Sequence, residues 1–163
     1  MSSSRSCRFT QIGVDRLVRL KWLEQTASLV LAGNDDATIK AILQAELKDS
    51  FRSDNPDVRG SIDKSITILL KVWLRAPAGL ESLRIGGLDL LKSLPSHYHI
   101  AVHWGMVMAV YPFWASVALQ TGRLLKLQGS AAATQVQRRI REQYGERETV
   151  SRRARYVLRS YVD

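Results

Sequence analysis

Apolar residues recur along this chain at three- and four-residue steps, and alternation with polar residues never lasts more than a few positions. The pattern predicts helices and no sheet. A first helix is expected over IGVDRLVRLKWLEQTASLVLAG, with Leu17, Leu20, Trp22 or Leu23, Ala27 and Val30–Leu31 along one face and Gly33 as its stop. Asn34-Asp35-Asp36 supplies an N-cap for a second, whose inner face is Ile39, Ile42, Leu43 and Leu47. SFRSDNPDVRG, Ser50 to Gly60, reads as a loop. A third helix is expected from about Ser61 to Arg75, closed by Pro77. A fourth runs from about Gly79 to Leu94, weakened by Gly86-Gly87 and ended by Pro95.

The next stretch, Ile100 to Leu119, has twenty residues without a formal charge, a length that spans a bilayer. His103, Gly105, Ser116 and a central Pro112 interrupt it, so it predicts two buried helices broken at Pro112 and no membrane span. SAAATQVQRRIREQY then predicts a helix with Ala133, Val136, Ile140 and Tyr144 on one face. Gly145 suits a tight turn that needs positive φ, and Thr149 suits the N-cap of a last helix, Val150 to about Val162. At 100° per residue, Val150, Ala154, Val157, Leu158 and Tyr161 share an arc of roughly 100°. Arg152, Arg155 and Arg159 fall opposite, with Tyr156 beside them and Ser151 near the helix start.

The fold class expected is all-α: seven or eight helices in a compact bundle with a C-terminal helix-turn-helix-like unit. Its organisation is a flexible tail over 1–9, a helical bundle over 10–128, and a basic segment over 129–163 packed on it. The boundary is expected near Leu127-Gln128-Gly129.

Charge changes the picture most at that end. The 163 residues carry 24 Lys and Arg against 15 Asp and Glu, net +9, which favours polyanionic partners. Gly122 to Asp163 holds nine Arg and one Lys against Glu142, Glu146, Glu148 and Asp163, a net +6, so two thirds of the excess sits in the last quarter. A surface charged only for solubility would spread it more evenly.

Cys7 is the only cysteine, which excludes an internal disulfide and a thiolate metal cluster. Its surroundings, MSSSRSCR, lack the apolar core of a secretory signal, and a reducing cytoplasm is the expected setting. His99 and His103 stand at the i, i+4 spacing of zinc enzymes, but the HExxH glutamate is absent and no acidic residue lies between Lys92 and Arg123. With His97, they read as core and surface histidines, and no metal is expected. No P-loop, GxGxxG or GxSxG motif occurs, so neither an enzyme nor a cofactor is expected.

The residues expected to meet nucleic acid are therefore Arg138, Arg139, Ser151, Arg152, Arg155, Tyr156 and Arg159. A recognition helix needs a dry inner face and long donors outside, and the arginine fork binds guanine or phosphate bidentately. Double-stranded DNA leads over RNA, because no aromatic stacking platform is visible. Two other readings of the basic end stay open: docking of an acidic protein partner, and peripheral membrane association.

The chain resembles the BrxA family, the small helical components of bacterial phage-exclusion (BREX) systems. The resemblance rests on HW-x(6)-YPFW (His103-Trp104 to Trp114), on the following TGRLLKLQG, and on VQRRIREQYGERETVSRRARYVLRSYVD; it extends from the FTQIG opening onward. It implies an all-α protein with helix-turn-helix character, partly similar in shape to the antitermination factor NusB. It also implies non-catalytic binding of double-stranded DNA alongside other phage-defence proteins. Arg152, Arg155 and Arg159 match the basic outer face of the last helix in such a family, and Arg138 and Arg139 match the helix before it. Family members continue through a Trp-Gly turn into a further apolar segment, where this sequence ends at Tyr161-Val162-Asp163.

Overall fold

The computed structural model describes residues 11–51 and 57–162, and every regular element among them is helical. In chain order these are α1 (Leu20–Leu31), α2 (Asp36–Ser50), α3 (Asp57–Trp73), α4 (Glu81–Ser93), a 3₁₀ turn (Ser96–Tyr98), α5 (His99–Val110), α6 (Pro112–Gln128), α7 (Ala133–Tyr144) and α8 (Glu148–Ser160). The all-α expectation holds. The tail expected over 1–9, with Cys7, lies outside the described residues.

The helices form two compact units. One is Val18–Val110; the other joins residues 11–17 to 111–162 among those described. The division expected near Leu127–Gly129 falls instead between Val110 and Tyr111, so α6 belongs with the basic end. The reason is burial: two amphipathic helices cannot enclose a core alone. Phe113, Trp114, Val117 and Leu124 of α6 supply the missing side, and α6 packs on both α7 and α8.

In the Val18–Val110 unit, α3 is the centre, and α1, α2, α4 and α5 all pack on it. Ile62, Ile66, Ile68, Leu69, Leu70, Val72 and Trp73 of α3 are buried, too many for a single amphipathic stripe. On α2 the expected face is buried at Ile39, Leu43 and Leu47, and the Asp35 carboxylate caps the helix by accepting the Thr38 N–H at 2.8 Å. Gly33, at φ +77°, ends α1 as expected.

Three local expectations are corrected. The first helix begins at Leu20, because 11–19 carry no regular structure: Val14 is fully buried there, and the Ile12 carbonyl is taken by the Arg153 side chain, not by a helical N–H. The loop expected from Ser50 to Gly60 is helical at both its ends, since α2 runs to Ser50 and α3 starts at Asp57. Lastly, α4 runs unbroken through Gly86-Gly87. A Cβ at Gly87 would stand 3.1 Å from the Trp73 ring, so that glycine lets α4 close onto α3.

No helix is long and apolar enough to cross a membrane among the described residues. The uncharged run is split where expected, α5 ending at Val110 and α6 opening with Pro112 in its first turn, where a missing N–H costs nothing.

Candidate nucleic-acid interface

The C-terminal pair is built by side-chain segregation. Val136 and Ile140 on α7, and Val150, Ala154 and Val157 on α8, are all fully buried. Two aromatic residues of α6 receive the ends of the pair: Phe113 meets Tyr144 edge-on at 5.0 Å, and Trp114 meets Tyr161 at 5.7 Å. The phenols are satisfied too. Tyr144 shares a 2.7 Å hydrogen bond with Ser116, and the Tyr161 hydroxyl donates to the Trp114 carbonyl at 3.4 Å. Burial pushes the Tyr161 phenol well above its ordinary range, so it stays neutral.

Between the two helices lie Gly145, Glu146 and Arg147. Gly145 adopts φ +94°, ψ 153°, a region that only glycine visits without strain. The Arg147 N–H closes back on the Gly145 carbonyl at 2.9 Å, and the chain re-enters helix at Glu148. Thr149 is therefore inside the first turn; the N-cap is Arg147, with no side-chain cap, and Glu148 complements the positive end of the helix dipole instead.

Arg152, Arg155 and Arg159 are all exposed, and with Glu148 they occupy one arc of about 60°. Tyr156 is half-buried at its margin. Ser151 departs from the expectation. It is 7% exposed, its carbonyl accepts from the Gln137 amide at 3.4 Å and its hydroxyl accepts from Arg141 at 3.3 Å. At 100° around the helix from Arg152 it belongs to the α7–α8 seam, not to the outer face. On α7, Arg138 is exposed and pairs with Glu142 one turn on at 3.4 Å, while Arg139 is half-buried. Both line a groove of about 450 Å³ between α6 and α7 with Gln120, Gln128, Gln135 and Glu142. The strongest basic surface of the seven expected residues is thus the Arg152–Arg155–Arg159 stripe, with α7 contributing Arg138, already paired with a carboxylate, and the half-buried Arg139.

Sequence reading missed the roles of Arg141 and Arg153. Each has the residue type of a phosphate ligand, but each is half-buried and turns one donor inward, to the Ser151 hydroxyl and the Ile12 carbonyl respectively. Helical periodicity flags Arg153 only weakly, by setting it 100° from Arg152.

The histidines of the other unit form a separate polar cluster. His103 is fully buried, and its Nδ1 accepts from the Trp73 indole N–H at 3.1 Å. Its remaining proton therefore sits on Nε2, which lies 3.4 Å from Glu24 Oε1. His99 has two acceptors, Glu24 Oε1 at 2.8 Å from Nδ1 and the Leu94 carbonyl at 3.0 Å from Nε2. The Leu94 carbonyl first, then the Glu24 carboxylate, raise its pKa; burial lowers that of His103. Two acceptors thus favour the protonated form of His99, while burial favours the neutral form of His103. That tautomer points a proton where a metal would need a lone pair on His103. Among the described residues no group of three or more His, Cys, Asp or Glu is placed to hold a metal ion. Glu24, supplied by α1, is 75 residues from His99, and no spacing rule in the sequence connects them.

A scan against protein-family models and searches of curated proteins and of solved structures found no match to this chain.

Proposed function

We propose that this chain is a non-enzymatic protein that binds double-stranded DNA through the outer face of α8, in the phage-exclusion setting that its resemblance to the BrxA family implies. The observation that carries the reading is the segregation on α8. Val150, Ala154 and Val157 are fully buried while Arg152, Arg155 and Arg159 are exposed within one narrow arc. Three fixed-charge, planar donors over about two turns suit a phosphate backbone at the lip of a groove, and can also meet guanine edges. The Gly145 turn and the short connection to α7 support a helix-turn-helix use of the pair.

The test is duplex binding across a salt series, with single-stranded DNA and RNA as competitors. If about five phosphates are neutralised, log K falls with log salt at a slope of about −4 to −5. Replacing Arg152, Arg155 and Arg159 together by Ala should cost at least about a hundredfold in affinity and make the slope shallower by nearly 3, at unchanged helicity. Wild-type affinity in that triple variant would end the proposal. Specific co-purification of an acidic protein, with duplex binding only weak and independent of duplex length, would instead favour an adaptor role.

A further inference from the structure

The arginines of α8 do two different things, and Arg153 is the one that does not face outward. It is half-buried, its Nε has almost no solvent access, and its guanidinium donates to the Ile12 carbonyl. Ile12 lies in a strap, residues 11–17, with no regular structure and hence no backbone partner of the helical kind for that carbonyl. A carbonyl partly withdrawn from water gains from a donor, and a guanidinium supplies a charge-assisted one.

The strap is seated at a second point. Gly13 lies so close to the Tyr111 ring that a Cβ there would stand 3.0 Å from it, and Val14 next to it is fully buried. Tyr111 is itself the residue that caps α6. The strap thus connects the head of α6 to the flank of α8 at the level of Arg153, between Arg152 and Ala154. At the far end of α8, Tyr161 is held on Trp114 of α6. Two ties, one at mid-helix and one just past its C-terminal end, add to the buried face of Val150, Ala154 and Val157 in fixing the rotation of α8 about its axis. The rotation of that helix decides where Arg152, Arg155 and Arg159 point.

We propose that Arg153 is a positioning residue: it clamps the 11–17 strap across α8 and so pre-organises the outer arginine stripe for a polyanion, without touching that polyanion itself. This rests on the reading of α8 as the DNA-facing helix. Pre-orienting three long side chains on a fixed helix lowers the ordering cost of binding, which is where a residue remote from the ligand acts on affinity.

The experiment uses the full chain and a labelled duplex of mixed sequence, over a salt series. Arg153→Met is expected to weaken duplex binding about tenfold while the slope of log K against log salt stays as in wild type. Arg153→Lys, which keeps a donor for the Ile12 carbonyl, should recover most of that loss. Gly13→Val removes no charge but pushes the strap off Tyr111, and should reproduce the weakening, again at constant slope. Helicity and thermal midpoint are recorded for each variant, and affinities are referred to the folded fraction.

A slope shallower by about 0.9 in Arg153→Met would mean that one phosphate contact was lost, and Arg153 would be a ligand. Wild-type affinity in Gly13→Val, or losses no larger than the unfolded fraction explains, would also overturn the positioning role. Failure of the underlying reading looks different. In that case the wild-type chain itself shows no salt-dependent duplex binding, and the Arg152, Arg155 and Arg159 variant matches it.

Discussion

Helices α5 and α8 are nearly equal in length, twelve and thirteen residues, and opposite in design. On α8 the side chains with no exposed surface, Val150, Ala154 and Val157, are apolar, its other buried residues are two serines, and the exposed arc is charged, so the side it buries is written in its own sequence. On α5 no residue carries a fixed charge, and both sides of the helix are apolar. Its buried residues include His103 with Met106, Val107 and Val110, while Ile100, about as apolar as any of these, is half exposed. What orients α5 is a hydrogen bond from Trp73 on another helix and a carboxylate on a third. An amphipathic helix is oriented by the hydrophobic effect; a uniformly apolar one must be oriented by something directional.

Breaking α8 on its dry side should have the largest effect. Val157→Asp buries an unpaired carboxylate at a fully buried position and should cost about 3–5 kcal/mol, read as loss of cooperative thermal unfolding of the unit that contains it. Arg155→Glu, on the exposed arc of the same helix, should change stability by no more than about 0.5 kcal/mol. Equal destabilisation by the two would erase the asymmetry claimed for α8.

The directional orientation of α5 is tested by His103→Leu. It keeps the volume approximately but leaves the buried Trp73 N–H without an acceptor, at a cost of about 2 kcal/mol in denaturant unfolding. Stability equal to wild type would mean that packing alone orients α5. The turn before α8 comes next. Gly145→Ala forces a side chain into a backbone region that only glycine occupies freely, so a loss of about 1–2 kcal/mol is expected by the same measurement.

The smallest effect is the most specific to the Glu24 cluster. His99 has its pKa raised in the folded chain, so its contribution is complete below the ordinary histidine value of about 6.5 and fades as pH rises through the folded value. The pKa of His103 is lowered, so below about 6.5 the unfolded chain takes up a proton that the folded one refuses, and stability falls on the acid side. The thermal midpoint should peak near that pH and decline on both sides. Glu24→Gln should lessen the alkaline decline, leaving the part due to the Leu94 carbonyl, and His103→Leu should flatten the first part of the acid one. A midpoint flat from pH 5 to 8 in wild type would dismiss both assignments.

How far the fold was legible depended on the same contrast. The faces of α2, α7 and α8, the stop at Gly33, the break at Pro112 and the turn at Gly145 were readable because each follows from nearest-neighbour sterics or from helical periodicity. The start of the first helix was not. The apolar repeat continues through Val14 and Val18, whereas 11–17 carries no regular structure and meets Tyr111 and Arg153, residues far along the chain. Of the seven residues expected at the interface, Arg152, Arg155 and Arg159 stand together on the outer face. Tyr156 lies at its edge, and Arg138 and Arg139 line the α6–α7 groove instead. Ser151 was misjudged because 100° of helix turn separates the outer face from the α7 seam, and a small polar residue carries no periodic signal of its own.

By itself the sequence determined that this protein is helical, where most of its helices begin and end, and that one of them divides an apolar face from a row of arginines. Those properties are local: they depend on residues within two turns of each other. Only the tertiary structure decided which arginines turn a donor inward, that α6 belongs with the basic end, and that Glu24 meets His99 and His103. A hydrogen bond is satisfied by whatever partner folding brings within about 3 Å, and no periodicity along the chain encodes a partner 75 or 141 residues away.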